Sequence, residues 1–361
     1  MATMKALVYE GPGKKSWKKV PKAKLLEATD AVVKVTSTTI CGTDLHILKG
    51  DVATCEPGRI LGHEAIGIVE SVGPGVSSFK SGDRVIVSCI TSCGKCIYCQ
   101  RGMQGHCLTG GWILGNLLDG TQAEYVRIAY ADTSLYHAPA HIADDALLML
   151  SDALPTGFEV GVRNGKIEPG QTVAIVGAGP VGMSALITAQ FYSPGRIIMI
   201  DTDDNRLETA RKLGATDTIN PLSAAAKGGA NGVMSAVQSI MAADGGDAKP
   251  GVDVAIEAVG TQATFATCQA IISPGGRIAN VGVHGTPVDL QLQDLWIKNI
   301  SITTGVVYAN STAMLLRILL SGKLRPQELV THRFKLDDIL SAYDVFGNAG
   351  REKALKVMII A

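Results

Sequence analysis

Four of the chain's eight cysteines, Cys93, Cys96, Cys99 and Cys107, fall within fifteen residues in the pattern C-x2-C-x2-C-x7-C. Scattered evenly over 361 residues, well under one cysteine would fall in such a window. Four thiolates complete a tetrahedral zinc shell and leave no open position, which is the chemistry of a structural site. An iron–sulfur cluster also begins C-x2-C-x2-C, but that pattern closes after three residues and a proline. Here the gap is seven and Leu108 follows Cys107. Zinc is the expected metal, and His106 is read as a loop residue rather than a donor. Cys55, Cys89 and Cys268 match no ligand spacing and are expected to be packed thiols.

A second set is dispersed: Cys41-Gly42-Thr43-Asp44-Leu45-His46, then Gly62-His63-Glu64, then Asp152 at the end of an apolar run before Pro155. Taken singly, Cys41 reads as a small core residue, His63 as a satisfied core histidine and Asp152 as a helix cap. A third set is local. Gly177-Ala178-Gly179-Pro180-Val181-Gly182 follows the apolar run Thr172–Val176 and opens a helical pattern. In a strand–turn–helix, Gly177 permits the tight turn, Gly179 admits a pyrophosphate close to the backbone, and Gly182 lets helix pack on strand. Pro180 and Val181 open the helix, whose unpaired N–H groups face the phosphates. Asp201 ends the next strand, where a carboxylate accepts hydrogen bonds from ribose hydroxyls and repels a 2′-phosphate. At 4 Å and an effective dielectric of 20 that repulsion is about 4 kcal/mol per charge pair. The expected cofactor is NAD rather than NADP, with Arg206, Val281 and Val283 as further cofactor-binding candidates.

Together these motifs resemble the zinc-dependent medium-chain alcohol dehydrogenases, in order and at family spacing, over essentially the whole chain. The resemblance implies a catalytic zinc on Cys41, His63 and Asp152, with the fourth position left for water or substrate. It places Glu64 near that zinc as a transient ligand and implies two zinc ions per subunit. It also implies a proton path in which the Thr43 hydroxyl takes the proton and passes it through the nicotinamide ribose to His46. Imidazole suits this role because it titrates near neutral pH. Asp44 is read as a structural hydrogen-bonder. A carboxylate at Asp152, together with Gly111-Trp112, Asn116 and Asp119-Gly120, resembles the secondary-alcohol branch, where the tryptophan lines the substrate pocket; Trp112 also reads as an ordinary core aromatic. Most of that branch prefers NADP and has a small residue where this chain has Asp201, so the NAD expectation rests on local chemistry. The expected reaction is hydride transfer between NAD and a small or medium secondary alcohol or its ketone. The alternatives are a related enzyme acting on a polyol, threonine or formaldehyde, and a non-catalytic NAD-binding protein. The Cys41–His46 string also occurs in the threonine branch, polyol enzymes commonly carry Glu as third ligand, and a binding-only chain would be expected to lose ligands or relay.

The elements that must position these groups follow from the apolar pattern. Residues up to about 150 show short strand-like runs broken by Gly and Pro, such as Ala31–Val35, Ala65–Val72, Arg84–Val87 and Ala123–Ile128. From Thr172 strands alternate with helices of about ten residues: Thr172–Val176, Arg196–Asp201, Thr216–Ile219, Val252–Glu257, Arg277–Val281 and Ser301–Thr304 are strands. Val181–Tyr192, Asn205–Leu213, Val233–Ala243 and Gln262–Ile272 are helices. That alternation predicts a doubly wound parallel sheet. The tail carries one more helix, Thr312–Leu320, and a strand, Ala354–Ile360, that rejoins the first half; Ala224–Gly232 reads as a surface loop. The fold class is therefore α/β, a Rossmann sheet with a mainly β domain that the resemblance makes GroES-like and catalytic. The expected division is 1–154 with 298–361 for the catalytic domain and 155–297 for the dinucleotide-binding domain.

Composition narrows the function classes. Lys+Arg and Asp+Glu both total 33, so there is no basic surplus of the kind a phosphate-neutralising nucleic-acid binder needs. No apolar run approaches 18 residues, so no membrane span is expected. Residues 1–9 are too short in their apolar part for an export signal, and the expected setting is a reducing cytoplasm, where clustered cysteines bind metal. The family pairs subunits through the edge strand, here Ser301–Thr304, so a homo-oligomer is expected, tetramer ahead of dimer.

Overall fold

Five-residue runs of β-branched and small apolar residues behave here as buried parallel strands, because both faces of the sheet are covered by helices. The computed structural model of the chain describes residues 2–223, 228–243 and 251–361. It divides into two compact units, Met1–Pro155 with Tyr308–Ala361, and Thr156–Val307.

In the second unit six parallel strands lie in the order Asp217–Ile219, Arg196–Ile200, Thr172–Val176, Val252–Glu257, Ile272–Asn280, Ser301–Thr304. This is the doubly wound order, with its switch point between Thr172–Val176 and Val252–Glu257, where such sheets bind nucleotides beyond the strand ends. Thr172–Val176 is buried throughout. Around it Ala174, Ile198, Ile200, Val252, Ala255 and Ile278 make a core with Phe265 and Cys268 of the helix Gln262–Ile271. The predicted strand Arg277–Val281 is the second half of a longer one, Ile272–Asn280, irregular opposite Val252–Val254. The loop expected over Ala224–Gly232 lies partly outside the described residues, at 224–227, and from Ala230 the chain is helical, through Ala242.

The first unit is built on a mostly antiparallel sheet in the order Val330–Lys335, Lys356–Ile360, Ala31–Ile40, Ala65–Val72, Arg84–Val87, Leu135–His137, with Tyr125–Ile128 also pairing Ala31–Ile40. Ala31–Ile40 is longer than its predicted first half because Ser37, Thr38 and Thr39, polar in sequence, are buried, with the Ser37 and Thr38 hydroxyls and the Thr39 carbonyl hydrogen-bonded. A hairpin, Thr3–Tyr9 with Lys15–Pro21, lies beside this sheet. Lys15–Pro21 is too lysine-rich to read as a strand from its pattern. It is held by its apolar partner and by the ion pair Lys18–Glu10. No helix among the described residues is long and apolar enough to cross a membrane.

Among the described glycines of the second unit the tightest backbone approach is at Gly182, where a Cβ would stand 1.8 Å from the carbonyl oxygen of Gly177. Neither group is a flexible side-chain end, so the turn itself would have to move. We expect Gly182→Ala to destabilise the chain by about 1–3 kcal/mol, the usual range for overpacking. Urea unfolding followed by circular dichroism measures this, and an unshifted midpoint would contradict the packing described.

Candidate functional site

Cys41 stands where the strand Ala31–Ile40 gives way to the helix Gly42–Lys49, as its N-cap residue with extended backbone. Asp44 in the first turn reaches back to accept the Cys41 N–H at 2.9 Å. The same oxygen accepts from Gln122 Nε2 at 3.0 Å, and Gln122 Oε1 accepts from the Tyr343 hydroxyl at 2.8 Å. A buried chain of hydrogen bonds thus runs from the C-terminal helix Ile339–Gly347 to the Cys41 turn. Asp44 is structural, as its sequence context suggests.

His63 and Glu64 precede the strand Ala65–Val72, behind Gly62 at φ +94°, where a Cβ would lie 2.7 Å from both Gln122 Cγ and Thr121 Oγ1. The Glu64 carbonyl accepts from Thr38 Oγ1 and Thr121 Oγ1, which fixes the backbone that carries both side chains. Asp152 follows Ser151, whose hydroxyl donates to the Ala65 carbonyl and whose carbonyl accepts the Cys89 N–H. These three segments, far apart in the chain, bring one ligand atom each of Cys41, His63, Glu64 and Asp152 within 4.8 Å of one another. His63 Nε2 is 3.5 Å from Asp152 Oδ2 and 3.9 Å from Glu64 Oε1, and Cys41 Sγ is 3.8 Å from Asp152 Oδ2. Donors about 2.0–2.3 Å from a zinc ion in tetrahedral array stand roughly 3.3–3.8 Å apart, so the spacing fits such an ion.

Charge gives an independent test of fit. Burial works against an imidazolium at His63, yet Asp152 and Cys41 outweigh it and hold His63 well above its ordinary range. Burial pushes the Glu64 carboxyl up, Lys356 opposes this, and Asp152 adds to the rise. The site therefore draws positive charge toward its centre. With Cys41, Glu64 and Asp152 ionised and Lys356 protonated, this group carries two negative charges, which one divalent cation balances while His63 stays neutral. Lys356 is 1% exposed, and its Nζ lies 2.6 Å from Glu64 Oε1. The motifs singled out in the sequence do not include it, although a lysine inside the apolar run Leu355–Ile360 is a visible signal.

Around this cluster, Thr43 Oγ1 lies 3.8 Å from Cys41 Sγ. His46, on the same face of the helix by its i,i+3 spacing, places Nδ1 2.8 Å from Asp51 Oδ2. Asp51 is a second residue absent from the sequence motifs. A carboxylate only accepts, so Nδ1 carries the shared proton and Nε2 is the basic nitrogen. Trp112 stands edge-on to His63 with ring centroids 6.3 Å apart, packs against the core of Leu7, Ile47 and Leu61, and keeps its buried Nε1 without a hydrogen-bond partner. Asn116 Oδ1 accepts from Thr54, while Asp119 binds Arg59 and the Ile60 N–H, so these two shape the Trp112 loop.

The thiols of Cys93, Cys96, Cys99 and Cys107 form the other cluster, also within 4.8 Å. His106 is not part of it and sits between Tyr98 and Tyr308, tilted against the first and edge-on to the second. Backbone N–H groups of Cys99 and Leu108 hold Cys96 down to about 6, while burial and its sulfur neighbours push Cys99 up to about 12. Thiolates this close need a shared cation before all four can ionise, so the set suits zinc. Cys55, Cys89 and Cys268 are buried, and none of the eight cysteines forms a disulfide.

In the second unit, Gly179 is the N-cap of the helix Pro180–Ala189, with open space where a Cβ would stand. The N–H groups of Val181 and Gly182 in its first turn have no intrahelical acceptor. Gly177 adopts φ +107°. Asp201 Oδ2 accepts the Ala178 N–H at 2.6 Å and Oδ1 the Asp203 N–H at 2.9 Å, which locks the glycine turn to the neighbouring strand end. Arg206 Nε lies 3.9 Å from Asp203 Oδ2. Val281 sits just past its strand with its N–H on the Glu257 carbonyl, and Val283 is exposed. Glu257, fully buried and also absent from the sequence motifs, accepts the N–H groups of Val259 and Gly260 and lies 3.7 Å from His284 Nε2, bracing both loops.

Comparison with known proteins now places the chain. The alcohol dehydrogenase GroES-like domain matches residues 27–140, and the zinc-binding dehydrogenase domain matches residues 180–321. An alcohol dehydrogenase of Cupriavidus necator is 36% identical over 99% of both chains. The chain belongs to the zinc-dependent medium-chain alcohol dehydrogenase family. A zinc-dependent alcohol dehydrogenase from Streptococcus pneumonia, solved in its apo form, superposes with a TM-score of 0.92 at 52% identity, covering 99% of this chain and 98% of its own. The NADP-dependent isopropanol dehydrogenase of Thermoanaerobacter brockii is 33% identical over 92% of this chain and 93% of its own. Membership agrees with the two donor clusters and the glycine turn.

With both clusters filled, metal analysis of the purified chain is expected to return about two zinc ions. Cys99→Ser is expected to return about one and to lower thermal stability, since structural zinc contributes directly to folding. Two zinc ions retained in that variant would contradict the four-thiol site.

Proposed function

We propose that this chain transfers a hydride between NAD and a small or medium secondary alcohol or its ketone, with Cys41, His63 and Asp152 holding a catalytic zinc. The convergence of those donors beside Thr43, His46 and Trp112 carries the reading. When bound, zinc supplies a Lewis acid that makes the substrate hydroxyl acidic near neutral pH, and the nicotinamide supplies the hydride acceptor.

The chain's own residues handle the proton. Thr43 accepts it at Oγ1, within reach of the Cys41 edge of the site. His46 holds it at Nε2, the nitrogen that Asp51 leaves basic, before release to water. Trp112 limits the bulk of the substrate beside His63, and its buried N–H offers a donor to an oxygen-bearing group. Gly177, Gly179 and Gly182, with Pro180 and Val181, receive the pyrophosphate at the helix N-terminus. Val281 and Val283 present backbone to the nicotinamide end, and Arg206 covers the ribose.

Asp201 supports NAD over NADP through the repulsion of about 4 kcal/mol that a 2′-phosphate would meet there. The T. brockii relative is named for isopropanol and NADP. The first supports the secondary-alcohol reading. On the second the proposal departs, on account of Asp201. The division into a catalytic and a dinucleotide-binding domain belongs to the same reading, with the second boundary moved from the expected 297/298 to Val307/Tyr308 because Ser301–Thr304 pairs inside the parallel sheet. So does a cytoplasmic setting in which the eight cysteines, none of them in a disulfide, stay reduced.

The reading includes a homo-oligomer, a tetramer ahead of a dimer. Ser301–Thr304 is an edge strand with no outer partner among the described residues. Trp296 and Ile297, 72% and 69% exposed, lie just before it. An unpaired edge beside large apolar side chains favours sheet-to-sheet pairing. Light scattering after size exclusion is expected to show a tetramer, with Trp296→Glu shifting it toward smaller species; a monomer at all concentrations would overturn this part.

Initial rates of NAD and NADP reduction with primary alcohols, secondary alcohols, polyols and threonine test the reaction itself. Chelator-sensitive turnover of secondary alcohols with NAD is expected. Asp201→Gly is expected to raise the NADP-to-NAD ratio of kcat/KM at least tenfold, and Thr43→Val to lower kcat about a hundredfold. Turnover confined to a polyol or to threonine would refute the substrate class, and an NADP preference in the unaltered chain would refute the role of Asp201.

A further inference from the structure

Lys356 is the largest fully buried side chain among the described residues, and its ammonium meets one carboxylate, that of Glu64, at 2.6 Å. Both side chains are 1% exposed. The other Glu64 oxygen, Oε2, is buried and has no hydrogen-bond partner. The same carboxylate belongs to the donor cluster of Cys41, His63 and Asp152. Strand pairing sets this arrangement. Val357 is in register with Ile40, so Lys356 enters at the level where Ala31–Ile40 runs into Cys41.

We propose that Lys356 is a positioning residue that competes with the metal for the Glu64 carboxylate and so keeps the fourth position of the catalytic zinc open. This rests on the reading of the cluster as a zinc site. Three donors, Cys41, His63 and Asp152, leave an open position, whereas a fourth protein donor closes the shell, as in structural sites. Glu64 is near enough to close it. A carboxylate buried between two cations goes to the one that compensates it better, and an ammonium in hydrogen-bond contact is a strong competitor. The pair also satisfies charge. Cys41 and Asp152 balance the divalent ion, and Lys356 balances Glu64, so Glu64 can stay ionised beside the metal without joining it. A buried carboxylate stripped of its cation is costly unless it finds another. Without Lys356, the metal is the full cation left beside Glu64 among the described residues, since His63 bound to that metal stays neutral. Lys356 thereby separates an open, reactive centre from a closed, inert one.

The test uses the zinc-loaded chain and its cobalt(II) form, in which the intensity and position of the visible absorption bands report donor set and coordination number. Lys356→Met keeps the length of the side chain and removes its charge. It is expected to slow release of one of the two zinc ions to a competing chelator at least tenfold and to change the cobalt spectrum. Adding Glu64→Gln to Lys356→Met is expected to reverse both changes, and Lys356→Arg to leave both close to those of the parent. An unchanged release rate and spectrum in Lys356→Met, or changes that persist in the double variant, would overturn the proposal. Glu64→Gln alone supplies a check that needs no substitution at Lys356: its cobalt spectrum is expected to match the parent, and a changed spectrum would mean that Glu64 is already a ligand with Lys356 in place. A chain that takes up zinc only at the four-thiol cluster would overturn the metal-centre reading itself, and this proposal with it.

Discussion

Negative charge buried at one point of the first unit is the constraint on which the rest of the structure depends. Cys41, Glu64 and Asp152 arrive from three separate segments and converge with His63 within 4.8 Å. An uncompensated ion in such a place costs several kcal/mol, a cost that Lys356 at its side offsets and that a cation at its centre would offset further. Much of the surrounding sheet answers that demand. The buried Thr38, Thr39 and Ser37 of Ala31–Ile40, the hydrogen-bond chain from Tyr343 through Gln122 to Asp44, and the fit of Gly62 against Gln122 all hold donors where repulsion would otherwise part them.

The four-thiol cluster solves the same electrostatic problem by other means. Its donors are near one another in sequence, so short turns suffice, and backbone N–H groups of Cys99 and Leu108 hold Cys96 down to about 6 while burial, then its sulfur neighbours, push Cys99 up to about 12. The second unit uses partial charges instead. Its parallel strands end in loops tied together by Asp201 and Glu257, each accepting two backbone N–H groups, and the helix Pro180–Ala189 presents its own N–H groups beside them. A dinucleotide brings the negative charge to that unit, whereas the first unit has to be supplied with positive charge.

Legibility in the sequence followed locality. The four cysteines, the glycine turn and the strands Thr172–Val176 and Val252–Glu257 were readable because a ligand spacing, a turn or a period is complete within a few residues. The helix Gly42–Lys49 and the strands Lys15–Pro21 and Val330–Lys335 were harder, since their burial depends on distant partners rather than on their own pattern. Cys41, His63 and Asp152 were candidates as a set only through the family resemblance, because each has an ordinary structural use when taken singly.

The amino-acid sequence by itself determined the chemistry available: soft thiolates in a zinc spacing, an imidazole and carboxylates in reserve, a glycine turn before a helix, and Asp201 at the following strand end. Tertiary structure alone decided which of these meet and in what state of charge. Lys356 shows the difference. In the chain it is one lysine in an apolar run, 292 positions from Glu64. In the fold, antiparallel pairing with Ala31–Ile40 buries it against that carboxylate. Sequence separation carries no information about such a contact, because the register between distant strands is set by the whole sheet.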